Sequence, residues 1–152
     1  MSEKRHVNYE NSHADVDKRS TDAAALASLA PRAALLNSDI AHIFKHYIDN
    51  LAPWYDLNDA RGVFGTVVPA SALDVPVLFQ AMIAFSCIHW FKTTGKLGEI
   101  AFSFHAACVE ALLEALTNIT ESPGEYLAAA CLLRSYEILN GKPIYKVTNV
   151  SE

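Results

Sequence analysis

The clearest pattern of apolar positions in the chain begins after residue 37. Ser38 is suited to the N-cap of a helix, and Asp39 is suited to the positive end of its dipole. Apolar side chains then recur every three or four residues, which predicts a helix whose buried face is formed by Ile40, Ile43, Phe44, Tyr47, Ile48 and Leu51. Pro53 disfavours the helical conformation at the residue before it, so this helix is expected to end or kink at Ala52.

A second apolar stretch follows a connector, in which we predict one short helical turn at residues 59–64. Pro76 is suited to the first turn of a helix, and residues 77–91 are apolar on nearly every side. Such a run is typical of a helix that is buried in a core. It lies at the short edge of the roughly 17–25 residues that span a membrane, and it contains Gln80 and His89, so a membrane-associated peptide is the weaker interpretation.

Two further helices are predicted toward the C-terminal end. Residues 99–117 carry an apolar stripe at helical spacing, formed by Ile100, Phe104, Ala107, Cys108, Ala111, Leu112 and Leu116. For the next helix, Ser122 is the expected N-cap, Pro123 the first helical residue and Glu125 the partner in a capping box, and Gly141 marks its end. The predicted fold class is therefore all-α, an irregular helical array of about four main helices.

The N-terminal region differs from the rest in its polar composition. Residues 1–20 are charged and poor in aromatic side chains, so they are predicted to be disordered. The next residues form either a short helix, capped by Thr21 or Asp22 and stopped by Pro31, or a linker. The predicted organisation is a disordered or linker tail, a folded domain and a tail without helical pattern, at 1–36, 37–141 and 142–152.

Composition narrows the functional classes. The chain has 152 residues, of which 51% are hydrophobic, and its net charge of −5 argues against nucleic-acid binding, which needs a clustered basic face. Cys87, Cys108 and Cys131 each stand alone in an apolar run, which argues against a disulfide framework or a paired-cysteine zinc site. We interpret them as buried, reduced thiols of an intracellular protein. The basic pairs Lys4-Arg5 and Lys18-Arg19 have the form of a two-part nuclear import signal, but a solvated tail is the simpler interpretation.

The histidines are the first candidates for chemistry. His42 and His46 lie one helical turn apart, but the Glu that a zinc-protease helix carries next to its first histidine is absent, so a solvated face is favoured. His89 and His105 lie in apolar helices and are expected to be buried with hydrogen-bond partners. Cys108 follows His105 by three residues, yet nothing in the sequence places the two in a cleft as a nucleophilic pair requires.

The charged candidates are also best explained by structure. Asp49, Asp56 and Asp59 surround Trp54 at irregular spacing, which favours capping and turn roles over acid–base work. Gly62 and Gly65 are too few, and in the wrong context, for a phosphate-binding loop. Arg134 stands in an apolar run, where we expect it to pair with Glu137, another carboxylate or a carbonyl, or to extend to the surface. No catalytic, cofactor-binding or metal-binding residue is therefore assigned, and no cofactor is expected.

Several short motifs succeed one another between residues 40 and 140. The first group consists of a helix ending in His-Tyr, an aromatic-Asp turn, a Phe, a Val-Pro and an Ala-Leu: His46-Tyr47, Trp54-Tyr55-Asp56-Leu57-Asn58-Asp59, Phe64, Val68-Pro69 and Ala72-Leu73. The second group contains a Pro-initiated helix, a His before a Cys, and a Leu-Ala-Ala stretch: Pro76-Val77-Leu78 with Ala81, Ala84, Ser86 and His89, then His105 and Cys108, then residues 127–137. As a set, these motifs resemble the regulatory (middle homology) domain of fungal-specific zinc-binuclear-cluster transcription factors.

This sequence also differs from the family's pattern at several places. The cysteine cluster that reads DNA in this family is missing, Ile88 stands where an Arg is frequent, and Glu114 falls where the family often has Pro. The family's domain continues with more helices, so we interpret this chain as a truncated regulatory domain. It is then expected to expose hydrophobic patches and to associate.

The resemblance implies a non-enzymatic fragment that regulates transcription by RNA polymerase II in the nucleus. It is expected to act through protein partners, with a full-length relative of the family as one candidate, without direct nucleic-acid or membrane binding, and with oligomerisation through exposed apolar faces. The alternative is a small helical ligand-binding domain or enzyme unrelated to transcription. That alternative needs convergent polar groups in a pocket, for which His89, His105 and Asp56 are the candidates.

Overall fold

A computed structural model of the chain describes residues 3–118 and 123–141, with side chains described from His13 onward. All regular structure in these two ranges is helical, as the apolar pattern predicts. The elements are α1 (Glu3–Ala27), α2 (Pro31–Ala34), α3 (Ser38–His46), a π-helical turn (Tyr47–Leu51), α4 (Ala52–Tyr55), α5 (Val67–Ala72), α6 (Pro76–Thr94), α7 (Gly98–Thr117) and α8 (Pro123–Leu139).

Helix α6 forms the centre of the fold and contacts α3, α5, α7 and α8. Its residues from Val77 to Ile88 are buried apart from the partly exposed Gln80, which confirms the prediction of a helix covered on most sides. The buried hydroxyl of Ser86 donates to the carbonyl oxygen of Ile43 at 2.7 Å and joins α6 to α3. Gly95 ends α6 in the left-handed conformation, with φ at 75°, and its N–H bonds to the carbonyl of Phe91.

Helix α3 begins with a different cap from the one predicted. Asn37, and not Ser38, is the N-cap, and its side-chain oxygen accepts from the N–H groups of Asp39 at 2.9 Å and Ile40 at 3.2 Å. An Asn is at least as good a cap as a Ser, so the sequence allowed both. The helix does not end before Pro53 but continues through the π-helical turn, in which the N–H of Ala52 bonds to the carbonyl of Tyr47.

The connector between α4 and α6 also differs from its prediction. Residues 59–64 form consecutive tight turns without a helix, and the short helix of this region is α5, Val67–Ala72. Apolar Val68 and Ala72 of α5 are buried in the core, whereas Arg61 is exposed and Gly62 has φ at 62°. Burial of an apolar face therefore selects α5 as the helical part.

The N-terminal region is helical, whereas we predict a disordered or linker tail for residues 1–36. Helix α1 runs from Glu3 to Ala27 and contacts α7, and its buried residues are Ala23 and Ala27. Pro31 starts α2 instead of stopping a helix that begins at Thr21. Composition missed these contacts because two alanines one turn apart are a small apolar signal.

Helices α7 and α8 complete the described part. Helix α8 starts at Pro123 as predicted, and Gly141 follows its end with φ at 71°. The predicted cap Ser122 and the tail from residue 142 lie outside the described residues. By length and composition α7 is the one described helix that could cross a membrane, and 22% of its most apolar window is buried. Core helices share this length and composition, so the property alone assigns no membrane span.

Candidate functional site

The histidines of α3 and α6 form a hydrogen-bonded pair. Nε2 of His46 lies 2.9 Å from Nδ1 of His89. The side-chain nitrogen of Asn50 faces both Nδ1 of His46, at 3.0 Å, and the carbonyl oxygen of His46, at 3.3 Å. Since that nitrogen only donates, Nδ1 of His46 accepts, and its Nε2–H therefore donates to His89. The pair is a structural contact between α3 and α6.

The surroundings of His46 favour its neutral form. Burial, then the nearby His89 and His42, lower the pKa of His46, while Asp49 acts in the opposite direction. Indole rings lie against the imidazoles, with Trp90 5.3 Å from His46 and Trp54 5.5 Å from His89 between ring centres. His42 does not share a ligand position with His46 but meets the ring of Trp90 edge-on at 4.7 Å. Within the described residues, no three His, Cys, Asp or Glu side chains are grouped to hold a metal ion.

The second candidate pair, His105 and Cys108, is not brought together. Nε2 of His105 lies 2.6 Å from a carboxylate oxygen of Glu137, and its ring stacks on Tyr136 with centres 4.2 Å apart. The thiol of Cys108 instead donates to the carbonyl of Val77 at 3.6 Å. Burial raises the pKa of Cys108 to about 12, so the thiolate that a nucleophile needs is not formed near neutral pH.

The remaining thiols and Arg134 divide between core and surface. Burial raises the pKa of Cys87 to about 12, and its thiol donates to the carbonyl of Leu97 at 3.2 Å. Cys131 is exposed, so the prediction of three buried thiols is wrong for this residue, which lies on the outer face of α8. Arg134 is exposed on the same helix, and Glu137 pairs with His105 instead of with Arg134.

The aspartates near Trp54 have separate structural contacts. One carboxylate oxygen of Asp56 accepts from the N–H of Phe64 at 2.9 Å, and the other accepts from the N–H of Gly65 at 2.8 Å. Asp49 pairs with Lys45 on the surface of the helix. Asp59 accepts from the backbone N–H of Arg61 at 3.0 Å, which is the main cause of its lowered pKa. These contacts fit the predicted capping and turn roles and form no acid–base pair.

The aromatic-Asp motif fastens the connector to the core. The hydroxyl of Tyr47 donates to the carbonyl of Phe64 at 3.0 Å, and the rings of Tyr55 and Phe64 stack with centres 4.4 Å apart. The hydroxyl of Tyr55 also contacts the hydroxyl of Ser135 and donates to the carbonyl of Cys131 at 3.2 Å. The motif therefore carries structure, because it ties α4 and the connector to α8.

An apolar groove lies on the described surface between the end of α7 and the start of α8. This α7–α8 groove has a volume of about 550 Å³ and is lined by Val109, Leu112, Leu113, Ala115, Leu116, Pro123, Tyr126, Leu127, Ala130 and Leu133. Leu116 is 83% exposed and Leu127 is 68% exposed. The sequence predicts Leu116 in the buried stripe of its helix, but that stripe is buried only as far as Cys108, because no described element covers the last turns of α7. Sequence periodicity identified the stripe but not how far it is covered.

The described residues form an all-α domain that carries the apolar α7–α8 groove on its surface. Residues 42–145 match the family model described as the fungal specific transcription factor domain. The match covers more than half of the chain, so the chain belongs to this family, as the motifs predict.

One relative illustrates the extent of the similarity. Sterol uptake control protein 2 of Saccharomyces cerevisiae is 26% identical over 129 residues, which cover 84% of this chain and 14% of the relative. The chain thus spans about a seventh of that relative's length. No solved structure matches the chain. The family supports a role in transcription regulation.

Proposed function

We propose that this chain is a non-enzymatic part of a fungal transcription factor, which regulates transcription by RNA polymerase II in the nucleus through protein contacts. The observation that carries the proposal is the match of residues 42–145 to the fungal specific transcription factor domain. The sequence has three separated cysteines and a net charge of −5, so no zinc cluster or basic DNA-binding face is evident in it.

The α7–α8 groove is the surface that we assign to these contacts. Leu113, Leu116 and Leu127 line it and are 59%, 83% and 68% exposed, so three large apolar side chains meet water in one place. Apolar patches of this kind on a soluble domain mark sites of association. The protein partner that we propose is a full-length relative of the family.

The proposal is tested by tethering the whole chain to an unrelated DNA-binding domain in fungal cells that carry a matching RNA polymerase II reporter. The fusion is expected to change reporter transcription relative to the DNA-binding domain alone. Leu116→Glu should abolish the change, because a carboxylate in the groove opposes apolar docking. The matched control is Leu57→Glu, since Leu57 is 79% exposed and lies outside the groove.

Two results would contradict the proposal. A fusion that leaves the reporter unchanged while it is expressed and nuclear would remove the regulatory role. Equal loss with Leu57→Glu and Leu116→Glu would remove the groove from it. Circular dichroism of both variants separates loss of contact from loss of fold.

A further inference from the structure

A second depression lies at the other end of α7, where α6 ends and α7 begins. This corner cavity has a volume of about 430 Å³, which lies within the range of small-molecule sites. Its walls include the apolar side chains Ile88, Phe91 and Phe102 and the polar residues Glu99 and Asn140. It shares no lining residue with the α7–α8 groove, so a ligand of this cavity is independent of the proposed function.

The first turn of α7 brings unused hydrogen-bond donors to this cavity. The first intrahelical bond runs from the N–H of Ala101 to the carbonyl of Leu97 at 3.2 Å, and no side chain caps the amides before it. Gly98 and Glu99, which contribute two of these amides, line the cavity. Leu97 adopts the left-handed conformation, with φ at 69°, which leucine rarely does. Free amides and the helix dipole together favour a negatively charged oxygen.

Tyr136 is the second donor, and it is independent of the helix end. It lines the cavity and is only 3% exposed, and its hydroxyl has no hydrogen-bond partner among the described residues. The only fully enclosed side-chain polar atom of these residues that lacks a partner is Oε1 of Gln80, so the Tyr136 hydroxyl must open onto free space. Burial, and then Glu137 and Cys87, raise the pKa of Tyr136, which keeps the hydroxyl protonated as a donor.

The acidic side chain of Glu99 restricts the charge of a ligand. It takes part in none of the ion pairs of the described residues, and it already places one negative charge at the start of α7. A simple anion would therefore be repelled. Because Glu99 lines the cavity together with the uncapped first turn of α7, a ligand that suits both carries a negative oxygen and a positive nitrogen.

We propose that the corner cavity binds a free α-amino acid with an apolar side chain. Its carboxylate accepts from the first amides of α7 and from the hydroxyl of Tyr136, and its ammonium group pairs with Glu99. Its side chain packs against Phe91 and Phe102. An α-amino acid is a small molecule that joins a carboxylate and an ammonium group to an apolar side chain.

The proposal is tested by isothermal titration calorimetry of the full chain with L-phenylalanine and L-leucine. At least one is expected to give saturable binding. Phenylpropanoate, which lacks the ammonium group, and phenethylamine, which lacks the carboxylate, should bind at least tenfold more weakly. Tyr136→Phe and Glu99→Gln are each expected to weaken amino-acid binding at least tenfold, because each removes a hydrogen bond to a charged group.

Matched controls distinguish the cavity from a general effect. Tyr126→Phe is the control for Tyr136→Phe, because it removes a tyrosine hydroxyl in the α7–α8 groove. Glu114→Gln is the control for Glu99→Gln, because it neutralises a carboxylate on an exposed turn of α7. Both should leave affinity unchanged. The proposal is overturned if neither amino acid binds at millimolar concentration, or if phenylpropanoate binds as well as L-phenylalanine. Binding that survives both cavity substitutions in folded protein would place the site elsewhere and overturn it as well.

Discussion

Asp56 gives the sharpest prediction, because its carboxylate holds the connector through two hydrogen bonds. Asp56→Ala removes the acceptors of the Phe64 and Gly65 N–H groups, which lie at 2.9 and 2.8 Å. A hydrogen bond to a charged group contributes about 1.5–3 kcal/mol, so the alanine variant should lose about 3 kcal/mol of unfolding free energy. For a chain of this length that corresponds to a melting temperature lower by ~9 °C.

The assay is thermal and urea unfolding of the full chain, with circular dichroism as the signal. Asp56→Asn keeps one acceptor oxygen and the shape of the side chain, so it should cost about half as much as Asp56→Ala. Asp49→Ala is the control, since its pair with Lys45 is exposed on the helix surface and is worth about 0.5 kcal/mol.

The reasoning is refuted if Asp56→Ala costs no more than Asp49→Ala. It is also refuted if Asp56→Asn is as stable as the unchanged chain. An acid–base role for Asp56 would require a different result, namely an activity lost in Asp56→Asn at unchanged stability.

Two further predictions concern titratable side chains. The pKa of His46 is lowered in the folded chain, so the unfolded chain takes up a proton more readily. The contribution of His46 to the unfolding free energy is therefore complete above about pH 6.5 and is lost as the pH falls below that value. Urea titrations on both sides of that pH measure the slope, which should shrink in His46→Gln; an unchanged slope would exclude His46 as its source. A thiol reagent at neutral pH should modify Cys131 in the folded chain and reach Cys87 and Cys108 only after unfolding, as read by peptide mass spectrometry. Rapid modification of Cys108 in the folded chain would contradict its burial.

The elements that the sequence predicted correctly are those with strong local signals. Helix α6 is apolar on nearly every side after a proline, and α8 begins with Pro123, so each is recognisable without tertiary information. The position of α5 was missed because Val67–Ala72 becomes helical through burial of its apolar face, which depends on its neighbours.

The polar contacts could be predicted only in part. The turn role of the aspartates follows from residue type, since Asp readily accepts from nearby backbone amides. The bond between His46 and His89 joins residues 43 positions apart, and its existence depends on how α3 lies against α6. The corner cavity also escaped the sequence, because it is built from three helix ends whose proximity no local pattern records.

The π-helical turn Tyr47–Leu51 has a consequence for how this region can change over generations. Such a turn holds one residue more than the α-helix around it, and each residue of an α-helix advances the chain by about 100°. Loss of that extra residue would convert the turn to ordinary α-helix and leave Tyr55 facing Ser135 and Asp56 facing the connector, whereas loss of a residue from the α-helix on either side would rotate both by about 100°. The chain is therefore expected to accept a one-residue deletion within Tyr47–Leu51 more readily than one in the α-helix before or after it.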